Sequence, residues 1–135
     1  MDATFPDGPW RGYYLHPSLD DRRHRMRLEL LFQDGRITGW GDDDVGSFEI
    51  RGRYDSATLR VDWRKDYLGA HSVDYRGRTR GRFIDGLWEL DEGFFGGFRI
   101  WPGEGDGGLE EAEERELATE AAAVGSVATA TPIHC

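Results

Sequence analysis

The stretch from Asp34 to Ser72 decides the fold, and it reads DGRITGWGDDDVGSFEIRGRYDSATLRVDWRKDYLGAHS. Apolar and charged residues alternate along it, as in the run FEIRGRY that begins at Phe48. A period of two is typical of a strand with one buried face, because successive side chains point to opposite sides of the sheet. Asp34-Gly35 and Asp55-Ser56-Ala57 interrupt the alternation with residues that favour tight turns. The stretch therefore predicts consecutive antiparallel strands joined by short connections.

The same pattern continues on both sides of this stretch. The predicted strands are Pro9–Leu15, Arg22–Gln33, Arg36–Gly41, Ser47–Tyr54, Thr58–Lys65, His71–Arg76, Thr79–Leu90 and Phe94–Trp101. Closing eight strands into a barrel removes the exposed edges and leaves room for one small ligand. We predict an all-β, eight-stranded antiparallel up-and-down barrel over residues 9–102, with an open sandwich as the competing arrangement.

The composition is typical of one aromatic-rich β-domain. The chain has 135 residues with 5 Trp, 5 Tyr, 7 Phe and 19 Gly. Its single cysteine, Cys135, excludes a disulfide framework and a metal site built on paired cysteines. No secretory leader and no apolar run of membrane-spanning length are legible, so we expect a soluble cytoplasmic protein without a membrane partner. The preference for Arg over Lys favours a bacterial, G+C-rich genome.

The negative charge is concentrated at the C-terminal end. Residues 1–102 contain 16 basic and 18 acidic residues, whereas residues 103–135 contain one basic and eight acidic residues. A barrel without a basic excess gives no reason to expect nucleic acid binding. We expect residues 1–8 to be a flexible lead. For residues 103–135 we expect a disordered or weakly helical Glu/Ala-rich tail with little apolar area to bury.

Several motifs match one known family in order and spacing. Residues 52–57 read GRYDSA, Tyr67 lies four residues after Trp63, and Ala70-His71-Ser72 follows. Over roughly Trp10 to Ile100 the chain resembles the avidin and streptavidin family, the biotin-binding β-barrels, and most clearly its streptavidin branch. The resemblance implies an avidin-like barrel that holds one small ligand in its interior.

Four residues of the implied ligand site are retained. Trp63, Trp88 and Leu90 fall where the family encloses the ring system of biotin, and Ser72 falls where a hydroxyl bonds the ligand sulfur. Without the resemblance, an inward aromatic residue such as Trp63 or Trp88 is more often a core residue than the wall of a ligand site.

Other positions of the implied site differ from the family. Gly12 and Gly41 stand where the family has donors to the ureido oxygen, and Asp43 replaces a serine of that cluster. Asp74 replaces a threonine, and Arg76 replaces a third tryptophan. Each lost buried hydrogen bond costs about 1–3 kcal/mol. We therefore expect no tight binding of biotin.

Two functions from different classes remain open. The first is a non-catalytic protein that binds biotin weakly, or another small molecule, in a pocket in which Asp43, Asp74 and Arg76 set the polarity. The second is a protein-interaction or structural module whose barrel is plugged by an Asp74–Arg76 pair. A shift of register by one residue would instead place Ser72, Asp74 and Arg76 on the solvent face.

Neither function needs a catalytic residue, a metal or a cofactor, and no motif for one is legible. Asp42-Asp43-Asp44 is interpreted as a charged hairpin turn, because it lacks the spacing of a calcium loop. His71, Val73 and Tyr75 would point outward in the family register, and this partly apolar stripe predicts a homodimer contact.

Overall fold

The computed structural model describes residues 5–103, and these residues form eight antiparallel strands that close into one barrel in chain order. The strands are β1 (Gly8–Leu15), β2 (Arg23–Gln33), β3 (Arg36–Asp43), β4 (Ser47–Tyr54), β5 (Arg60–Tyr67), β6 (Ser72–Arg80), β7 (Phe83–Glu89) and β8 (Phe95–Pro102). Arg11 lies opposite Trp101 where β1 and β8 complete the ring. The predicted fold class is confirmed.

The connections divide the barrel into two ends. The β1–β2, β3–β4, β5–β6 and β7–β8 connections lie at one end, here called the loop end. The opposite end contains the tight turns, among them the predicted hairpin at Asp34 and Gly35, whose positive φ values of 52° and 79° match the right-handed twist of the flanking strands. Between residues 5 and 103 no helix is long and apolar enough to cross a membrane.

Several details of the prediction are wrong. β6 extends to Arg80, so Thr79 belongs to it and not to β7. Leu59 lies in the β4–β5 turn with φ of 65° instead of on a strand face. Phe5, expected in a flexible lead, is buried and packs against Phe32 and Tyr54, with ring centroids 5.3 and 4.8 Å away. The predicted tail from residue 104 onward lies outside the described residues.

Aromatic side chains fill the barrel interior. Near its middle, Trp63 stacks on Tyr75 at 5.2 Å and meets the edge of Phe98 at the same distance. Towards the tight-turn end, Phe5, Trp10 and Phe32 continue this packing. A barrel of eight strands is just wide enough for its own side chains, so such large rings leave a packed core.

The face assignment of β6 is the main correction to the sequence prediction. Val73 and Tyr75 point into the barrel and are 6% and 2% exposed, whereas Asp74 and Arg76 are exposed on the outer wall. The family register had predicted the reverse. Burying Tyr75 against Trp63 removes apolar area from water, while an inward Asp74 would have to lose its hydration. The predicted outer stripe of His71, Val73 and Tyr75 therefore does not exist, and with it the basis for a homodimer is lost.

The orientation of β6 can be tested by two substitutions on adjacent residues. Tyr75→Ala should destabilise the protein by about 3–5 kcal/mol because it opens a cavity beside Trp63 and Phe98. Asp74→Ala should change the stability by less than about 0.5 kcal/mol, as expected for an exposed side chain. Urea unfolding measures both values. A larger loss of stability for Asp74→Ala than for Tyr75→Ala would show that Asp74 points inward, as the family resemblance implies.

Candidate functional site

A buried ion pair lies inside the barrel near the loop end. The ammonium of Lys65 on β5 is 2.8 Å from Oδ2 of Asp43 on β3, and the two side chains are 1% and 0% exposed. The hydroxyl of Tyr67 donates a second hydrogen bond to the same carboxylate oxygen at 2.5 Å. A charged pair without access to water is tolerable only when its remaining hydrogen bonds are made. Asp43 and Lys65 therefore depend on each other.

Four aromatic rings surround the same ammonium. Lys65 Nζ lies 4.6 Å from the ring centre of Phe48, 4.9 Å from Tyr75, and 5.1 Å from both Tyr14 and Tyr67. Ring faces attract a cation within about 6 Å, and more strongly once water is excluded. Rings from β1, β4, β5 and β6 thus form an aromatic cage around Lys65, and a carboxylate completes it.

Burial changes the acid–base chemistry of this group. It lowers the pKa of Lys65 to about 8, although the neighbouring Asp43 carboxylate opposes the change. It also raises the pKa of Tyr67, with the hydrogen bond to Asp43 acting in the same direction. Tyr67 therefore stays a donor, and the Asp43 carboxylate favours the protonated form of Lys65 against the effect of burial.

Asp43 also shapes the β3–β4 hairpin. Its Oδ1 accepts from the backbone N–H of Val45 at 2.9 Å, while Oδ2 binds Lys65 and Tyr67. The interpretation of the Asp42–Asp44 run as a hairpin turn is correct only in part, because Asp42 and Asp43 end β3 and the turn is formed by Asp44, Val45 and Gly46. The three aspartates make different contacts. Asp42 faces outward near Arg27, Asp43 faces inward and binds Lys65, and Asp44 binds His24 at the loop end.

His24 joins two loops at this end of the barrel. Its Nδ1 is 2.5 Å from Oδ2 of Asp44, and its Nε2 is 2.9 Å from Oδ1 of Asp20. The ring stacks on Tyr14 at 4.8 Å, and the Tyr14 hydroxyl donates to Asp44 at 2.6 Å. Because both ring nitrogens face carboxylates, the imidazolium form makes the most hydrogen bonds here.

The pKa directions agree with this geometry. Burial alone would lower the pKa of His24, but hydrogen bonds to Asp44 and Asp20 outweigh it and raise the pKa above its usual value. Hydrogen bonding to His24 lowers the pKa of Asp20. Burial alone would raise the pKa of Asp44, but the hydrogen bonds from His24 and Tyr14 outweigh this effect and lower the pKa. The β1–β2 and β3–β4 loops are thus held together by a protonated histidine between two carboxylates.

The predicted ligand residues separate into two groups. Trp63, Trp88 and Asp43 point inward. The indole N–H of Trp88 donates to the Leu15 carbonyl at 2.8 Å, and its ring meets His16 at 5.0 Å. Leu90 lies just past β7, half-buried against the core.

The other group lies on the outer wall and does not form the predicted pair. Ser72 donates to Asp66 on the neighbouring strand. Asp74 faces Arg64 at 3.4 Å, and Arg76 faces Glu89 at 2.8 Å. The predicted Asp74–Arg76 plug is therefore wrong, and the ion pair buried inside the barrel is Asp43–Lys65.

Two glycines leave no room for the donors that the resemblance implies. A Cβ at Gly41 would lie 2.1 Å from the Arg27 carbonyl oxygen and 2.9 Å from the ring of Phe48. At Gly12 it would lie 2.6 Å from Cγ2 of Ile100. Neighbouring side chains thus occupy the space in which larger residues would reach a ligand.

Sequence reasoning did not identify Lys65, Tyr67, His24 or Tyr14 as site residues. The alternation of inward and outward residues along β2 and β5 already indicated that His24, Lys65 and Tyr67 point inward. Lys65 and Tyr67 continue the inward series of Val61 and Trp63, and His24 continues that of Met26. A charged residue in the inward phase of a strand is a candidate for a buried site.

A groove lies on the outer wall of β1, β2 and β3. It has a volume of about 470 Å³ and is bordered by Arg11, Arg27, Glu29, Trp40 and Asp42. Trp40 is 63% exposed, while Trp10, Trp63, Trp88 and Trp101 are at most 4% exposed. Among residues 5–103, no group of three or more His, Cys, Asp and Glu side chains is arranged to hold a metal ion.

Comparison of the chain with protein-family models, with curated proteins and with solved structures finds no match. The resemblance to the avidin family therefore stays a prediction from the sequence motifs, whereas the eight-stranded antiparallel barrel is observed.

The buried ion pair predicts strong coupling between two substitutions. Lys65→Met should destabilise the protein by about 3–5 kcal/mol because it leaves the Asp43 carboxylate uncompensated. Asp43→Asn should cost a similar amount, since the amide keeps the turn acceptor but leaves the Lys65 ammonium without an opposite charge. The double variant should recover much of the sum. Urea unfolding of all four proteins measures the coupling, and simple additivity would contradict the pair.

The histidine network predicts a dependence of stability on pH. The folded pKa of His24 is raised, so the folded state keeps a proton that the unfolded state releases above about pH 6.5. This contribution is fully present below that pH and is lost as the pH rises through the folded pKa. The urea midpoint should therefore fall more between about pH 6 and 8 for the native protein than for His24→Gln.

His71 provides the matched control, because it lies exposed at the same end of the barrel. His71→Gln should keep the pH profile of the native protein. If His24→Gln also kept it, the imidazolium bridge would be refuted.

Proposed function

We propose that this chain is a non-catalytic binding protein built on an avidin-like barrel whose interior is plugged, and that its ligand binds in the outer groove beside Trp40. The observation that carries the proposal is the Lys65–Asp43 pair in its aromatic cage. It occupies the interior near the loop end, where the resemblance implies a ligand.

An interior ligand would have to displace a satisfied ion pair. Either charge left unpaired costs several kcal/mol, and the aromatic packing around it would also have to open. The chain's own ammonium already takes up the carboxylate and the ring faces that would attract a small cation. The barrel interior therefore acts as a rigid scaffold and not as the binding site.

The groove offers the three kinds of contact that fix a small molecule. Trp40 presents a flat apolar surface, Arg27 presents a guanidinium, and Glu29 presents a carboxylate. The volume of about 470 Å³ is in the usual range for small-ligand sites. We expect a ligand with a ring or other apolar body and with charged groups of both signs.

L-phenylalanine is a suitable first probe, because it combines a ring with an ammonium and a carboxylate and does not obscure tryptophan emission. Saturable binding should shift the red edge of the emission, which comes from the exposed Trp40. Arg27→Gln and Glu29→Gln should each weaken binding about tenfold, since a hydrogen bond to a charged group is worth about 1.5 kcal/mol. Arg78→Gln on β6, which lies across the barrel from β2, is the matched control and should leave binding unchanged. Absence of a saturable shift, or equal binding by all variants, would refute the groove site.

The second candidate is a small ligand in the interior, and the inward position of Trp63 and Trp88, which the resemblance assigns to a ligand site, favours it. Lys65 is the only lysine of the chain, so its Nζ signal is unambiguous in NMR spectra. Biotin up to millimolar concentration should leave that signal unchanged. A saturable change would favour the second candidate over the groove.

A further inference from the structure

Exposed apolar side chains are concentrated at the loop end of the barrel. Each of the four connections there carries one, and these residues, Leu19, Val45, Leu68 and Phe94, are here called the apolar rim. They are between 47% and 66% exposed. In the described tight turns at the opposite end, residues 34–35, 55–59 and 81–82, no large apolar side chain is exposed. Single exposed leucines are common, but a group at one end of a barrel indicates an interaction surface.

The folding of the loops does not require these side chains. Val45 contributes its backbone N–H, which donates to Asp43 at 2.9 Å. In the β5–β6 connection, Gly69 adopts the positive φ of 74° that the turn needs, and Leu68 precedes it. Turns of this kind usually contain polar residues, which would make the same backbone hydrogen bonds. The apolar side chains are therefore better explained by a contact outside the barrel.

Contacts between the loops keep the apolar rim in place. His24 joins the β1–β2 and β3–β4 loops through its two carboxylate partners. The ring of His16 lies 5.8 Å from that of Phe94 and connects the β1–β2 and β7–β8 loops. The N–H of Leu68 donates to the Ser47 carbonyl at 3.1 Å, which fastens the β5–β6 loop to the start of β4. Loops that are already ordered lose less entropy when a partner binds.

The apolar rim is bordered by negative charge. The carboxylates of Asp21, Asp91 and Glu92 are exposed in the β1–β2 and β7–β8 connections. Arg22 is the only Lys or Arg in the four connections, and its guanidinium lies 3.6 Å from a carboxylate oxygen of Asp20. Complementary charges favour the encounter of two surfaces and select between partners. A partner for this end of the barrel should therefore combine apolar side chains with basic ones.

We propose that the apolar rim binds a segment of a partner protein in which apolar side chains lie next to lysines or arginines. The apolar side chains of the partner cover the rim, and its basic groups face Asp21, Asp91 and Glu92. Two copies of this chain do not fit together at their loop ends, because their acidic borders would repel each other. An anionic membrane surface is disfavoured for the same reason. The rim residues do not border the groove beside Trp40, so this interaction is independent of the ligand proposed there.

The test is an NMR titration of the isotope-labelled full chain with a short synthetic peptide of leucine, lysine and serine. Amide signals of the four loops should shift to saturation, while those of the tight turns should not. A peptide with glutamate in place of lysine should bind about tenfold more weakly, because its charges meet carboxylates. Equal binding of the two peptides, or no saturable shift at the loop end, would overturn the proposal.

Two pairs of exposed leucines provide a matched control. Leu19→Ser with Leu68→Ser should weaken binding of the lysine peptide about tenfold, because less apolar area is covered. Leu31→Ser with Leu87→Ser makes the same chemical change on the outer walls and should leave binding unchanged. All four side chains are exposed, so both variants should stay folded. Equal effects of the two pairs would show non-specific apolar binding and would contradict the proposal.

Two further measurements distinguish the other possible occupants. Vesicles of phosphatidylcholine and phosphatidylglycerol should not bind the protein, and binding that Leu19→Ser with Leu68→Ser abolishes would assign the rim to a membrane surface. Sedimentation velocity should give the native protein and this variant the same oligomeric state. A dimer that only the native protein forms would assign the rim to a second copy. Either result would overturn the proposal.

Discussion

The ion pair between Asp43 and Lys65 is the constraint on which the arrangement of the barrel depends. A buried ammonium has to meet an opposite charge and a shell of favourable dipoles or ring faces. Asp43 supplies the charge from the end of β3, and rings from β1, β4, β5 and β6 supply the shell. Five of the eight strands are thus held in register by contacts to one side chain.

The orientation of β6 follows from this cage. Because Tyr75 contacts both Lys65 and Trp63, it has to point inward, and the period of two then places Asp74 and Arg76 on the outer wall. The same cage fills the barrel interior near the loop end. The proposed function therefore moves from the interior to the surface, while the His24 bridge holds two loops across the end of the barrel.

Most of the fold was predictable, but only part of the site was. Alternation in β2 and β4, and at Val61 and Trp63 of β5, predicted correctly which side chains are buried, since these stretches contrast apolar with charged residues. The error on β6 came from giving the transferred register of Ser72 more weight than the local contrast of Val73 and Tyr75 with Asp74 and Arg76. Asp43 was identified as a polar site residue, but Lys65, at the end of the predicted strand Thr58–Lys65, was not identified as its partner.

By itself, the sequence determined eight strands, their turns and the inward face of most of them, because these follow from local alternation and turn chemistry. Only the tertiary structure decided which charged residues are buried together. Asp43 and Lys65 are 22 residues apart, and His24 is 20 residues from Asp44. Their contacts depend on how far each strand is shifted against its neighbours around the closed ring, and no local pattern specifies that shift.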